Sequence, residues 1–299
     1  LGLNQWAHFT PEKLKNILSD RSPLAPMSVS GIKHLINARY RYDDLFSTED
    51  KNPVSDVMLQ RLIWHSRYGG RYWYLPVIHL YLHENDNEGA KVFFSELVRL
   101  ALCYSLKQRK AISAAHTCIR GALRKLIASS AESTHHLAAE RICLADEVRN
   151  VLLNEQLAWN PTWKSIVCRL SELLANGDEE LKLSNPKLLE SVFDMPVDIE
   201  HIQAFNDKDG QRREDVWRDW SYWLNGLGNL AMLESSINRS ISNSTFTEKK
   251  KGYVKSQFMT ILNLATLDNW TLDDCKCRCE HETQKLMAWL FPRDGIATH

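Results

Sequence analysis

Apolar residues recur at helical spacing through the first two thirds of the chain. Thr10-Pro11-Glu12 pairs a capping residue with proline at a first helical position. Leu14, Ile17 and Leu18 then form an apolar stripe, and Val57, Met58, Leu62 and Ile63 repeat the period across residues 54–67. Gly69-Gly70 interrupts the pattern, Pro76 opens the run VIHLYLH, and Glu84 to Glu88 reads as a polar loop. Further helices are expected over about 89–106, 109–129 and 133–157. Pro161 starts another that Gly177 ends, and a short one covers 186–193. Strand patterns are scarce here, so residues 1–193 read as an all-helical linker or scaffold domain.

The pattern changes at Met195-Pro196. VDIEHI is short, β-branched and alternating, as a strand is. Glu214 to Leu224 is helix-like and Gly226 stops it. In GLGNLAMLESSINRSISN, glycines lead into Asn229, and Leu230, Leu233 and Ile237 fall on one face of an expected helix. The expected fold class is mainly α with a small α+β part. The expected boundary is at 193, with a second domain over 194–299.

Composition changes little in this picture. Apolar residues make up 44 % and charged residues 25 %, an ordinary globular balance. No run of 18 apolar residues suggests a membrane span, and no signal peptide is visible. The chain begins at Leu1, which leads to the expectation of a piece of a longer protein. Basic and acidic residues balance at 37 each, which argues against a uniformly basic nucleic-acid binder but leaves room for a local patch. Residues 239–255 hold such a patch: Arg239, Lys249, Lys250, Lys251 and Lys255 against Glu248. Over 194–299 the balance is 13 basic to 16 acidic, so the excess is local. The seven cysteines are an odd count. Cys103, Cys118, Cys143 and Cys168 fall singly in apolar helical segments, which suits buried thiols in a reducing cytoplasm.

The chemistry centres on DIEHIQAF, residues 198–205. Glu200-His201 alone reads as the polar face of a strand. It gains meaning from Asn229 and Asn238 downstream, because His at a strand end, Asn in a turn and Asn in the next helix are the layout of an HNH, or ββα-metal, nuclease. Phosphodiester hydrolysis needs a base to activate water, and neutral histidine suits that at pH 7. It also needs a divalent cation to stabilise charge on the phosphate. Mg²⁺ keeps several waters, so one carboxylate and one amide oxygen suffice, and Mn²⁺ is an alternative. In this reading His201 is the base, Glu200 and Asn238 are ligands, and Asn229 orients His201 or fixes the turn. Asp198 and Asn243 are rival ligands. Arg239, Lys249, Lys250 and Lys255 are the candidate DNA contacts.

IEHI (199–202), GNLAML (228–233) and the run Asn238, Ser242-Asn243, Phe246, Lys249 and Tyr253 resemble the HNH domain of GmrSD-type modification-dependent restriction endonucleases. The likeness continues weakly to Trp270 and the last helix, and SspE-type phosphorothioate-sensing nucleases share the arrangement. The resemblance implies a DNA endonuclease of an anti-phage restriction system, acting on hydroxymethylated, glucosylated or phosphorothioated DNA. It also implies an N-terminal ParB-like NTPase domain that this chain lacks, with WYLPVIHLYLH belonging to the helical section between the two catalytic parts. One cut per site implies a homodimer, or two nicks, for a double-strand break. Three features depart from the family. Position 204 is alanine where proline is usual, which bears on the strand exit. The NTPase half is absent, and Asp209-Gly210-Gln211-Arg212 mimics a motif of that half in the wrong context.

Two other motifs have plain readings. Trp217, Trp220 and Trp223 offer base-stacking surfaces or, more simply, one buried helical face. Cys275, Cys277 and Cys279, with His281, suggest a zinc knuckle. On a helix, however, Cys277 would point away from the other two. A second functional reading keeps the same residues in a DNA-binding or autoinhibited module that needs its missing half or a partner. A third is a helical interaction protein with a degenerate nuclease fold.

Overall fold

The computed structural model describes residues 87–106, 130–154, 161–177 and 187–292. Helices expected before residue 84 and over 109–129, with Cys118, lie outside the described residues. The chain divides into two compact units, residues 1–143 with 296–299, and residues 144–295.

In the first unit, α1 (Asn87–Leu106) packs against α2 (Ser130–Ile142). Phe93, Leu97, Leu100 and Cys103 are buried on α1, and Leu137 and Ala138 on α2. Arg141 is buried among them, and its Nε donates to Glu96 Oε2 at 2.7 Å. That pairing offsets the cost of burying a guanidinium.

The single helix expected over 133–157 is two. α2 ends at Ile142, and α3 (Ala145–Asn154) opens the second unit after a turn at 143–144. In the sequence, Leu137, Leu144, Val148 and Val151 keep helical spacing through the break, and neither Gly nor Pro marks it. Only the charges do: Arg141 lies in the last turn of α2, and Asp146 and Glu147 lie in the first turn of α3. Cys143, expected buried, is exposed at this turn.

The second unit continues with α4 (Pro161–Asn176) and α5 (Lys187–Phe193). Pro161 and Gly177 bound α4 as expected. Then come β1 (Val197–His201), α6 (Glu214–Trp220), two 3₁₀ turns (Ser221–Asn225 and Leu227–Asn229) and β2 (Leu230–Glu234). The chain finishes with α7 (Ser235–Ile241), α8 (Phe246–Tyr253), α9 (Met259–Ala265) and α10 (Leu272–Leu290). The described residues are thus mostly helical, with one two-stranded antiparallel sheet. Its register sets Val197 opposite Glu234, Ile199 opposite Met232 and His201 opposite Leu230.

Residues 230–234 correct the expectation of a helix starting at Leu230. LAMLE is a strand with all five residues buried, and the helix begins at Ser235. A strand buried on both faces reads as a continuous apolar run, which periodicity cannot tell from a buried helix. α4 and α9 pack on β2. Glu172 of α4 ties them together: its fully buried carboxylate accepts from Met259 N at 2.7 Å, Thr260 N at 3.0 Å and Thr260 Oγ1 at 2.6 Å. The position 193 therefore falls inside this unit, whose helices cover the sheet on which the candidate site is built.

The helix expected over 214–224 tightens after Trp220, where Ser221 adopts φ 39° and a 3₁₀ turn follows. The three tryptophans therefore do not line one helix. Trp220 is buried, whereas Trp217 is partly exposed and carries the Arg212 guanidinium 4.1 Å over its ring. Cys275 and Cys279 are buried on α10 and Cys277 is exposed, as a helical face requires. Burial pushes the Cys275 thiol up to about 12, the direction of a packed thiol.

Candidate active site

β1, β2 and α7 place the candidate residues around one pocket of about 290 Å³. Its wall includes Glu200, His201, Phe205, Asn238, Arg239 and Asn243. Alternation along β1 sends Asp198 and Glu200 to one face and His201 to the other. Across the sheet, α7 follows β2 directly, which brings Asn238 back to β1: its Nδ2 donates to Asp198 Oδ2 at 3.2 Å. The two rivals thus divide the work, with Asp198 holding the amide of Asn238 and so orienting it. Asn243 donates to the carbonyl of Asp207 at 3.1 Å, tying the Asp207–Gln211 loop to the pocket. That loop is a tight turn: Gly210 has φ +79°, and Asp207 Oδ1 accepts from Asp209 N and Gln211 N. The Asp-Gly-Gln-Arg motif is thereby accounted for as turn chemistry.

Glu200 is 5 % exposed, and Lys249, at 1 %, meets it from α8. Lys249 Nζ donates to Glu200 Oε1 at 2.5 Å and to the His201 carbonyl at 2.6 Å. Tyr253, one turn along α8, donates to the same Oε1 at 2.8 Å. Burial lowers the Lys249 pKa against the opposing pull of Glu200. Burial first, and then the charge of Glu200, hold the Tyr253 phenol well above its usual value, so it remains a donor. This position of Lys249 corrects the expectation of a surface DNA contact, because its ammonium is spent inside the site. Lys250 is turned elsewhere, donating to the Leu267 carbonyl. Arg239 and Lys255 are exposed, and Arg239 lines the pocket.

Asn229 is completely buried and outside the pocket. Its side chain accepts from Gln203 N at 2.7 Å and donates to Gln203 O at 3.1 Å and Leu224 O at 2.9 Å. Its carbonyl accepts from Ile202 N at 3.0 Å. Of the two roles expected for it, these bonds fit the fixing of the turn. They also clamp the exit of β1, the place where Ala204 stands instead of proline. The loop of Asn229 is itself held by α10, where Arg278 Nη1 donates to the carbonyls of Leu227, Gly228 and Leu230 at 2.7–3.2 Å.

The His201 ring has a different partner. Its Nε2 lies 3.2 Å from Asn225 Oδ1, and the Phe205 ring meets it edge-on at 5.2 Å between centroids. Burial pushes the imidazole down to about 4, so it is neutral at pH 7. Sequence reasoning missed Asn225, Lys249 in its inward role, and Tyr253 as its companion. The i, i+4 spacing of Lys249 and Tyr253 on one helical face was the available signal.

Among the described residues, no group of three or more His, Cys, Asp or Glu gathers as a metal cage. The oxygens at the pocket are of another kind: one carboxylate, Glu200, whose two hydrogen bonds both fall on Oε1, and the amides of Asn238 and Asn243. Such hard, sparse donors fit a cation that retains most of its water and takes further oxygens from a phosphate, as Mg²⁺ does.

Residues 145–281 match the family described as GmrSD restriction endonucleases, C-terminal domain. No curated protein and no solved structure matches the chain.

Proposed function

We propose that residues 145–281, which match the family described as GmrSD restriction endonucleases, C-terminal domain, form a DNA nuclease of the ββα-metal (HNH) type. The observation that supports this most is the shared pocket: a neutral, partly buried histidine with a carboxylate and an amide in the same wall, built on two strands and the helix that follows. His201 takes the proton of the attacking water. Glu200 and Asn238 would hold a divalent cation, Mg²⁺ or Mn²⁺, which supplies charge stabilisation at the phosphate and the leaving oxygen. Asp198 orients Asn238, and Asn229 keeps the end of β1 in place. Arg239, which lines the pocket and is exposed, meets the DNA backbone, and the exposed Lys255 is a second candidate contact. One base per domain breaks one strand per event, so a double-strand cut takes two domains or two events. Sensing of modified DNA would fall to an NTPase half outside this chain.

Supercoiled plasmid tests the reading. With Mg²⁺ or Mn²⁺ the protein should convert it to open circles before linear product forms, and EDTA should stop the conversion. Cleavage that proceeds unchanged in EDTA would contradict it. Matched plasmids with and without hydroxymethylcytosine or phosphorothioate, run in parallel, would reveal a preference for modified DNA.

A further inference from the structure

Asn225 lies in the 3₁₀ turn after α6, 24 residues from His201 in sequence. Nothing in the nuclease pattern singles it out. Yet its side-chain oxygen is 3.2 Å from Nε2 of the proposed base, in a partly buried setting. The turn it ends is anchored on both sides. Gly226 N donates to Trp223 O at 3.2 Å, and Asn229 holds the Leu224 carbonyl. Asn225 is therefore presented to the ring by a fixed segment of backbone.

We propose that Asn225 is the positioning residue of His201, and that it sets which ring nitrogen receives the proton of water. The inference rests on the nuclease reading of the same pocket. An amide oxygen only accepts, so Nε2 must carry the hydrogen in this contact. A neutral imidazole has one N–H, which leaves Nδ1 as the bare, basic nitrogen. In the reaction the water O–H bond breaks, its proton goes to the Nδ1 lone pair, and the oxygen's electron pair forms the bond to phosphorus. The imidazolium so formed is stabilised by Asn225 Oδ1 on its far side, while Phe205 limits rotation of the ring. Fixing a base in the productive tautomer counts for much where a triad has been tested by mutation: an amide replacing the orienting carboxylate lowers kcat by about four orders of magnitude. A neutral amide partner should have a smaller effect.

Two measurements test this. In ¹⁵N-histidine-labelled protein, the His201 signal, assigned by its loss in His201→Ala, should show the Nε2–H tautomer. The Nδ1–H tautomer would overturn the proposal, since it would mean that the Asn225 amide donates instead. The tautomer itself is read on the folded wild-type chain, with His201→Ala used only for the assignment. In plasmid nicking, Asn225→Leu keeps size but removes the acceptor. It should lower kcat about 10- to 100-fold with KM little changed, the scale of a weakened general base. Asn225→Asp restores an acceptor and should recover most of the rate. In a His201→Ala background, Asn225→Leu should cost nothing more, because its effect passes through the ring. Equal rates for wild type and Asn225→Leu, with His201→Ala inactive, would sink this proposal and leave the nuclease reading standing. An active His201→Ala would sink the nuclease reading itself.

Discussion

Replacing Lys249 by methionine is expected to lower the unfolding free energy by about 3–5 kcal/mol, the usual cost of removing one partner of a buried ion pair. The reason is the company left behind. Glu200 is buried, and its carboxylate keeps only Tyr253 as a hydrogen-bond donor among its present partners. The His201 carbonyl loses its ammonium donor as well. Methionine fills similar volume, so the loss reports charge and hydrogen bonding rather than a cavity. Adding Glu200→Gln should restore part of the stability, because it removes the stranded charge, and the two substitutions should be markedly non-additive. Urea midpoints of the four proteins measure this. A Lys249→Met protein as stable as wild type would show that the pair does not form. A surface lysine facing DNA would behave that way, weakening binding and leaving stability alone.

Gly228→Ala should bring a comparable loss in the turn that precedes β2. A Cβ at this position would sit 2.0 Å from the Cys275 carbonyl oxygen and 3.0 Å from its Sγ. The oxygen belongs to the backbone of α10, so no rotamer change relieves the contact. Either α10 or the loop before β2 must move, and both are latched by Arg278. The expected cost is about 3 kcal/mol or more, at the upper end of overpacking. For a domain of this size that is a fall in Tm of roughly 10 °C. Because Asn229 follows directly, the β1 exit should loosen too, and nicking should fall more than unfolding alone accounts for. Calorimetry showing an unshifted Tm would mean that α10 and this loop are not in contact.

These substitutions also mark how far the sequence could be read. Glu200, His201 and Asn238 were singled out by the nuclease layout rather than by local periodicity, and the pocket brings all three to its wall. The strand at VDIEHI was legible because its alternation is local. LAMLE was not, because a strand buried on both faces loses its alternation. The break at Cys143 was hidden by an apolar stripe that continues through it. Lys249 shows the deeper limit. In a run of three lysines, charge pattern alone points all of them to solvent, and only the tertiary position of α8 sends one inward to a carboxylate 49 residues away. Asn225 and the clamp of Asn229 on Gln203 depend on a loop conformation that residue types do not announce. The resemblance to the nuclease family narrowed the chemistry, whereas the hydrogen bonds redistributed the roles within it.

The role proposed for His201 is that of the base in a metal-dependent nuclease. It is tested most directly by relaxation of supercoiled plasmid in Mg²⁺ by wild type and by His201→Ala, with circular dichroism and Tm confirming that both are folded. The wild type should nick, and the folded variant should do so about 10²–10⁴-fold more slowly, the usual contribution of a general base. A folded His201→Ala protein that nicks as fast as wild type would contradict that role.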